Sequence, residues 1–535
     1  MVSGMKQSDE TWWRHGVFYQ IYPRSFQDTN ADGVGDIAGI INRLPYLEAL
    51  GVDAIGLSPI FPSPMADFGY DIADYTGVDP LFGTMEDFDA LAGAAHAAGL
   101  KVILDLVPNH TSDQHPWFVE SRSSRDNPKR DWYIWREPGA DGGPPNNWLS
   151  EFGGGAWEYD ATTRQYYYHA FLAQQPDLNW RNPEVRRAIY DIMRFWLRKG
   201  VDGFRVDVIW HLIKDAEFRD NPTNPNFLEG RRPHQKILPL YTTDQPEVHD
   251  VIAEMRRVID EFGSRVLIGE IYLPLERLVA YYGKDLSGAH LPFNFVLLSA
   301  PWHARSIEKV IADYESLLPV GAWPNWVLGN HDRPRVASRV GRDQTRVAAM
   351  LLLTLRGTPT LYYGDEIGMH QVAIAPEQVR DPFEKNVPGV GVGRDGCRTP
   401  MQWDATTHAG FSTATPWLPL AGDFLHENVV NHEADARSIL NLYKALIRLR
   451  KKLPQLVSGS YVPIAAQGDV LLYRRESEGA AVVIALNLGA EPVSIVSDAA
   501  GLSGEILLST FLDREGEKIE GTLDLRGNEG AIISG

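Results

Sequence analysis

Three acidic residues that follow short β-rich runs are the strongest candidates for chemistry in this sequence. Asp207 ends "GFRVDV", Glu270 ends "VLIGE", and Asp332 follows "NWVLGNH". A single acid in such a place is commonly a helix cap or an ion-pair partner. Three acids at equivalent strand ends, accompanied by Arg205 and His331, instead predict a catalytic cluster of carboxyl groups.

Carboxyl groups without a matching metal-ligand cluster are typical of glycoside hydrolysis. One carboxylate attacks or stabilises an oxocarbenium-like centre, and one neutral carboxylic acid protonates the leaving oxygen. Arg205 lies two residues before Asp207, on the same face of the predicted strand, where its charge would keep that carboxylate ionised. Glu270 would have to be buried near other acids to keep its proton at neutral pH.

A repeated order of amphipathic helix, glycine and short apolar run would position these acids. The glycines stand where each helix needs a left-handed cap: Gly51, Gly99, Gly200, Gly263 and Gly357. The runs that follow them lack clean alternation, as expected for parallel strands covered on both faces. With "GVFYQIYP", "HLPFNF" and "NWVLGN" the runs number eight, which predicts an α/β fold of the (βα)8 barrel type. An open doubly wound sheet is the alternative that this pattern leaves.

The sequence also predicts separate domains. The segment 109–180 is rich in Trp, Tyr, Gly and Pro and indicates a domain inserted after the third strand. The barrel would then consist of 1–108 and 181–455, with an excursion at about 365–431. From 456 to 535 the alternating runs predict an antiparallel β-domain.

Composition excludes several classes of partner. The formal net charge of -19 argues against nucleic acid and anionic lipid, because phosphates would be repelled. Cys397 is the only cysteine, so no internal disulfide is expected. The start of the chain has no secretory pattern and no run is long enough to span a membrane, so a cytoplasmic protein is predicted. The oligomeric state is left open.

The segment "DTNADGVGD" resembles the first nine positions of a calcium-binding loop. Four side chains and one backbone carbonyl have the required spacing: Asp28, Asn30, Asp32, Asp36 and, through its carbonyl, Val34. Position twelve is Gly39, where a calcium sensor would carry a bidentate Glu. The loop therefore predicts one structural ion site, or an ion-free turn, rather than a sensor.

Four further segments, in order, carry a specific resemblance. "DLVPNH", "GFRVDV", "GE" at 269–270 and "GNHD" resemble the signature segments of the α-amylase superfamily, glycoside hydrolase family 13. The likeness extends through "QIYPRSF", "GYDIADY", "QPDLNW" and "CRTPMQW", so it covers nearly the whole chain. The last group is similar to the branch of α-glucosidases and oligo-1,6-glucosidases.

This resemblance implies a retaining, exo-acting α-glucosidase that removes terminal glucose from short α-glucosides of the maltose and isomaltose type. Asp207 would be the nucleophile, Glu270 the general acid/base and Asp332 the transition-state stabiliser. Sugar or alcohol acceptors would compete with water, which would give transglucosylation. The alternatives are a trehalose synthase, a sucrose-converting glucosyl transferase or isomerase, and, in another class, a non-catalytic transporter subunit or scaffold.

The resemblance also implies the residues that bind the glucose. His110 and His331 would hydrogen-bond the sugar, with Tyr70 as its stacking platform. Asp67 and Arg398 would pair across the closed end of the pocket and bind the terminal 4-hydroxyl. The same resemblance implies one structural Ca²⁺ or Mg²⁺ in the loop at Asp28 and no organic cofactor.

The leaving-group side is less well defined by the sequence. Phe152 and Phe171 would line its entrance, or else pack inside the inserted domain. Val208 directly follows the nucleophile. Valine at this position resembles the enzymes that act on α-1,6 links, whereas threonine there is typical of strict α-1,4 enzymes. The proline-rich segment 219–250 is expected to shape the leaving-group subsites. "GVGRDG" matches a dinucleotide motif, but it follows no strand and opens no helix, so that interpretation fails.

Overall fold

The structure is a computed structural model that describes residues 11–390, 393–496 and 503–535. The prediction that the chain has no secretory signal rests on its N-terminal stretch, most of which lies outside these residues. Gly391 of the glycine-rich motif also lies outside them. Within the described residues, no helix combines the length and the apolar character needed to cross a membrane.

The described residues form nineteen strands and fifteen α-helices, numbered here in chain order. The strands are β1 Phe18–Ile21, β2 Ala54–Leu57, β3 Lys101–Leu106, β4 Trp135–Arg136, β5 Trp157–Asp160, β6 Gln165–Tyr168, β7 Gly203–Val206, β8 Val266–Ile271, β9 Leu291–Asn294, β10 Asn325–Val327, β11 Thr358–Tyr362, β12 Ser460–Gln467, β13 Val470–Ser477, β14 Ala480–Asn487, β15 Val493–Val496, β16 Gly504–Ser509, β17 Lys518–Ile519, β18 Thr522–Leu525 and β19 Gly530–Ser534. The helices are α1 Trp12–His15, α2 Ile37–Leu50, α3 Met85–Ala97, α4 Pro116–Ser123, α5 Pro183–Arg198, α6 Val248–Asp260, α7 Leu275–Leu278, α8 Val296–Ser299, α9 Ala304–Leu317, α10 Val336–Val340, α11 Thr345–Thr354, α12 Pro382–Asn386, α13 Val429–Ala434, α14 Ile439–Lys452 and α15 Pro454–Val457.

Eight parallel strands form the barrel that the repeated helix-glycine-strand order predicts. Their order is β10-β11-β1-β2-β3-β7-β8-β9, and all eight predicted runs are present. Between β9 and β10 the closure uses side chains: the Asn325 amide donates to the Pro292 carbonyl at 2.5 Å and accepts from the Asn294 N–H at 2.9 Å. The predicted (βα)8 fold is confirmed.

The glycines between helices and strands serve two different purposes. Gly51 ends α2 in the left-handed conformation, with φ 91° and ψ 18°, where residues other than glycine are strained. Gly357 precedes β11, and a Cβ there would lie 2.5 Å from the Pro324 carbonyl oxygen. The predicted helix cap at Gly357 is wrong, because α11 is capped at Leu355, and it is the close approach of two backbones that requires glycine at 357.

Helix α5 illustrates how the outer layer packs on the barrel. Its buried side chains recur at helical spacing: Val185, Ile189, Ile192, Met193, Trp196 and Leu197. Asn182 caps its N-terminus by accepting from the Glu184 N–H at 2.8 Å. This apolar face belongs to the same buried cluster as the strands β3 and β7, so the helix fixes the two strands that carry acidic residues.

Three parts of the chain lie outside the barrel layers. After β3, the strands β4, β6 and β5 form a small antiparallel sheet within the predicted insertion. After β11, a long excursion contains only α12 and α13 as α-helices. The C-terminal region has a six-stranded sheet, β12-β13-β14-β19-β16-β17, and the pair β15-β18. The exact domain boundaries given above remain predictions.

Candidate active site

Strand register brings the candidate catalytic residues together. In the parallel pair β3 and β7, Asp105 lies opposite Arg205, and in β7 and β8, Val206 lies opposite Gly269. One residue further along both strands are Asp207 and Glu270. Residues i and i+2 of a strand share a face, so Arg205 and Asp207 point to the same side. The spacing "R-x-D" therefore places a cation beneath the two acids.

Arg205 bonds to all three of these carboxyl groups. Its Nη1 donates to both Asp105 oxygens at 2.7 and 2.8 Å and to Asp207 Oδ1 at 2.7 Å. Its Nη2 is 2.8 Å from Glu270 Oε2. The charge pairing predicted for Arg205 is thus present, whereas its assignment as a sugar-binding residue stays a prediction. The guanidinium is used entirely by carboxylates and does not line the cavity.

The carboxyl groups of Asp207 and Glu270 are neighbours in the cavity. Burial raises the pKa of Asp207 well above its ordinary value, and the neighbouring Glu270 adds to that rise. The positive charge of Arg205 acts on the same pKa in the opposite direction and favours the carboxylate that a nucleophile requires.

Val208 has an unusual backbone conformation beside this pair. Its φ of 37° and ψ of 46° are left-handed, which is rare for a β-branched residue. In this conformation the Val208 N–H donates to Glu270 Oε2 at 3.0 Å, and its side chain lines the cavity. The strained turn therefore orients the acid as well as presenting the side chain to the ligand.

Asp332 follows β10 and faces the same cavity with a different charge environment. Its Oδ2 is 3.2 Å from His331 Nε2, and its Oδ1 is 2.9 Å from Arg398 Nη2 and 3.4 Å from Arg394 Nη1. Burial acts to raise the pKa of Asp332, but these contacts outweigh it and hold the pKa far below the ordinary range. Asp332 is therefore ionised at neutral pH.

A cavity of about 480 Å³ collects most of the predicted residues. Asp207, Glu270 and Asp332 converge on it. Seven of the predicted binding residues also line it: Asp67, Tyr70, His110, Phe152, Phe171, Val208 and His331. The convergence confirms their predicted proximity, whereas their individual catalytic and binding roles stay predictions.

The two histidines are neutral side chains fixed by hydrogen bonds. Burial lowers the pKa of His110 to about 4, and Gln175 Nε2 lies 3.1 Å from its Nε2. Burial also lowers the pKa of His331 well below its ordinary value. The His331 ring stacks on Tyr70 with 5.4 Å between centroids, and its Nε2 is 2.6 Å from the Tyr70 hydroxyl. Gln175 was not predicted, although it begins the quoted segment "QPDLNW".

The ion pair at the end of the cavity differs from the predicted one. Asp67 Oδ1 pairs with Arg394 Nη2 at 2.6 Å, not with Arg398. Asp381 also binds Arg394, at 2.8 Å, and α12, which Asp381 caps, holds this acid in place. Arg394 lies in the "GVGRDG" segment, so a motif that fails as a dinucleotide loop supplies a cavity residue. The predicted Asp67–Arg398 pair is wrong.

Arg398 is fully buried and does not line the cavity. Its Nε donates to the His331 carbonyl at 2.8 Å, and its Nη2 contacts Asp332 at 2.9 Å. Its guanidinium carbon lies 5.2 Å from the centre of the Tyr22 ring. Arg398 therefore supports the segment that carries His331 and Asp332, and its assignment as a substrate-binding residue is wrong.

The entrance of the cavity is aromatic and is built by two segments. Phe152 and Phe171 meet edge to face at 5.5 Å, and Phe152 stacks on Phe383 at 4.9 Å. They line the cavity and also pack in a small apolar cluster, whereas their predicted place at the entrance on the leaving-group side stays a prediction. The predicted segment 219–250 supplies further lining residues, among them Phe227 and Leu238.

The loop at Asp28 has the shape of an ion-binding turn. The side-chain oxygens of Asp28, Asn30 and Asp32 each accept the N–H two residues on, at 2.9, 3.0 and 2.8 Å. Asn30 and Asp32 are exposed, whereas Asp28 is buried and its Oδ2 also accepts from the Gly33 N–H and the Ser412 hydroxyl. Asp36 fits less well, because its Oδ1 caps α2 through the Gly39 N–H and its Oδ2 accepts twice from Thr29. Among the described residues, no group of three His, Cys, Asp or Glu side chains is arranged to hold a metal.

A barrel with three carboxyl groups that converge on one cavity at its strand ends defines a glycoside hydrolase site. The family described as α-amylase, catalytic domain, matches residues 20–459. The chain belongs to this family and is a glycoside hydrolase.

Individual relatives cover almost the whole chain. A probable α-glucosidase of Rhizobium meliloti is 42% identical, over 96% of this chain and 96% of the relative. An oligo-1,6-glucosidase of Heyndrickxia coagulans is 39% identical, over 94% and 96%. Among solved structures, the α-glucosyl transfer enzyme XgtA has a TM-score of 0.91 at 42% identity, covering 98% of this chain and 99% of that chain. The trehalulose synthase MutB has a TM-score of 0.90 at 35% identity, covering 98% and 100%.

Proposed function

We propose that this protein is a retaining, exo-acting α-glucosidase that also transfers glucose to sugar or alcohol acceptors. The observation that carries the proposal is a cavity in which Asp207, Glu270 and Asp332 meet the ion pair of Asp67 and Arg394. The names of the related α-glucosidase, oligo-1,6-glucosidase and transfer enzyme support the substrate class.

The blocked end supports exo action. Asp67, Arg394 and Gln175 present fixed acceptors and donors to a terminal glucose, since Gln175 also lies 3.4 Å from Asp67 Oδ2. A longer chain has no path past the ion pair of Asp67 and Arg394. One glucose unit would therefore be removed at a time from the non-reducing end.

The reaction would proceed in two displacements. Asp207 attacks the anomeric carbon while Glu270 donates its proton to the departing oxygen, so the glucosyl–aglycone bond breaks as the glucosyl–Asp207 bond forms. Glu270 then accepts a proton from water or an acceptor hydroxyl, whose oxygen displaces Asp207. Arg205, bonded to both acids, keeps their oxygens in register through both steps. Ionised Asp332 stabilises the positive charge that develops on the sugar ring.

The aromatic entrance supports transfer alongside hydrolysis. Phe152, Phe171 and Phe227 give an acceptor apolar faces on which to bind, which raises its local concentration relative to water. Sucrose conversion, which is the activity of the related trehalulose synthase, uses the same two displacements with fructose as leaving group and acceptor. It is therefore an alternative outcome of the same test.

The test compares initial glucose release and transfer products with maltose, isomaltose, sucrose and trehalose as donors. Release of α-glucose from maltose or isomaltose, with larger glucosides at high substrate concentration, is expected. Sucrose isomers as main products would replace the proposal with the alternative.

Chemical rescue then tests the assignment of the nucleophile. Asp207→Gly should be inactive, and azide with an activated aryl α-glucoside should restore turnover as a β-glucosyl azide. Glu270→Ala with the same substrate should give an α-glucosyl azide, because the intermediate on Asp207 still forms. An α-azide from Asp207→Gly would contradict the roles given to both residues.

Two further properties belong to the proposal. The turn at Asp28 would hold a structural Ca²⁺ or Mg²⁺ through Asp28, Asn30 and Asp32 and the Val34 carbonyl, supported by the spacing of these oxygen-bearing residues and by their successive turns. A cytoplasmic location is supported by the single cysteine, since disulfides are rare there. Cell fractionation with antibody detection tests the location, and enrichment outside the cytoplasm would contradict it.

A further inference from the structure

Three arginines stand at the open end of the cavity. Arg231 and Arg232 come from the wall segment 219–250, and Arg333 directly follows Asp332. Arg232 and Arg333 are half-buried, whereas Arg231 is exposed. Two separate parts of the chain therefore present positive charge to one side of the cavity, in a protein whose formal net charge is -19.

These arginines have no carboxylate of their own. No ion pair among the described residues includes Arg231, Arg232 or Arg333. Glu151 and Asp332 act on the pKa of Arg232, and Asp332 and Glu270 on that of Arg333, but none of these carboxylates is within ion-pair distance of the two guanidinium groups. The N–H donors of these arginines therefore remain available to an anion.

The half-buried guanidinium groups rest on aromatic rings instead. The Arg333 guanidinium carbon lies 4.8 Å from the centre of the Tyr272 ring, and that of Arg232 lies 5.2 Å from Phe383. Burial and the neighbouring Arg333 both lower the pKa of Arg232. Like charges kept close in a partly dry site destabilise the protein unless an anion enters between them.

The position of this cluster relative to Glu270 indicates what the anion belongs to. Tyr272, beneath Arg333, lies two residues beyond Glu270 in sequence, and all three side chains line the cavity. Under the proposed function Glu270 protonates the leaving oxygen, so this is the side of the leaving group and the acceptor. An anion bound there would be carried by the aglycone, not by the glucose.

We propose that the aglycone side selects hydroxyl compounds that carry a carboxylate or phosphate, through Arg232 and Arg333 with Arg231 at the rim. This inference rests on the proposed function. The acceptor hydroxyl oxygen bonds to the anomeric carbon, its proton passes to Glu270, and the bond to Asp207 breaks. The anionic group is unchanged and pairs with the guanidinium groups in substrate, transition state and product.

The test uses three matched acceptors, glycerol, glycerate and glycerol 3-phosphate, with maltose as donor and constant ionic strength. Transfer to at least one anion should exceed transfer to glycerol by about tenfold, the effect of one charge-assisted contact, and added salt should reduce the preference. Preference for glycerate alone identifies a carboxylate site, and preference for the phosphate alone identifies a phosphate site. Equal transfer to all three compounds overturns the proposal.

Variants of the two half-buried arginines test whether these residues cause the preference for anionic acceptors. Arg232→Gln and Arg333→Gln should each reduce the ratio of anionic to neutral transfer several-fold, while Arg187→Gln, on the exposed face of α5, should leave it unchanged. A ratio that survives both entrance variants overturns the assignment.

Binding of the same compounds to Asp207→Asn, measured by calorimetry, tests the cluster without turnover. Failure of maltose as a donor would then count against the proposed function alone. Weaker or equal binding of the anions relative to glycerol would count against the arginine cluster alone.

Discussion

Asp67 and Arg394 form the ion pair at the blocked end of the cavity, with 2.6 Å between Oδ1 and Nη2. Arg398, only four residues further on, points instead to Asp332 and the His331 carbonyl. The two arginines therefore have different roles. Arg394 lines the cavity, whereas Arg398 lies beneath its surface and contacts Asp332.

A double-mutant cycle on kcat/KM for maltose separates these tasks. Asp67→Asn and Arg394→Gln should each reduce kcat/KM, and the double variant should lose less than the sum, with a coupling of about 1–3 kcal/mol. The pair Asp67→Asn and Arg398→Lys should be close to additive, because these side chains are not in contact. Stronger coupling of Asp67 to Arg398 than to Arg394 would contradict the observed pairing. The Tm of each variant controls for loss of folding.

Burial and the neighbouring Glu270 raise the pKa of Asp207, which predicts the acid limb of the pH profile. Asp207 must be ionised to attack the anomeric carbon, so kcat/KM should fall as the pH drops below this pKa. Glu270→Gln removes one cause of the rise, so it should move the limb to lower pH and reduce kcat about 10²–10⁴-fold with poor leaving groups. Glu158→Gln, an exposed acid of β5, should leave the limb in place. A limb that does not move in Glu270→Gln would assign it to another group.

Val208→Thr should shift the preference between α-1,4 and α-1,6 links with little steric effect. Both side chains are β-branched, so threonine would adopt the same left-handed φ of 37° as valine does. The added hydroxyl would favour the α-1,4 aglycone, so the ratio of kcat/KM for isomaltose to that for maltose should fall by about tenfold. Val208→Ala, which adds no hydroxyl, is the matched comparison. A ratio that falls equally in both variants would attribute the effect to lost methyl groups.

Ca²⁺ or Mg²⁺ should raise the Tm, and chelation should lower it without an immediate loss of rate, if the turn at Asp28 holds a structural ion. A ligand at 100 times its Kd contributes about 2.7 kcal/mol. Asp32→Ala should abolish the response, whereas Asp126→Ala, also exposed, should retain it. A Tm that does not change with either ion would refute the proposed site.

The barrel and its acids were predictable because their signals are local and periodic. Each apolar run begins after a helix and a glycine, and the register of parallel strands then places Asp207 beside Glu270. The partner of Asp67 was not predictable in this way. Arg394 and Arg398 share a long excursion with no regular period, and only its three-dimensional path decides which guanidinium reaches the cavity.

The arginines at the entrance were missed for a related reason. Arg231 and Arg232 stand next to each other in a proline-rich segment and belong to no recognisable motif. Arg333 is separated from them by about a hundred positions. Their convergence is a property of the assembled cavity, since two separate parts of the chain bring them to it. Sequence periodicity carries no information about such convergence.

The bridge that Arg205 makes between Asp105, Asp207 and Glu270 has a consequence for how this enzyme can change over time. The reacting groups are tied to three adjacent strands by one cation, while the blocked end and the entrance are built by loops of other segments. Insertions or substitutions in those loops can alter the donor, the acceptor or the linkage without moving the reacting oxygens. New specificities are therefore accessible by small evolutionary steps that preserve catalysis at every stage.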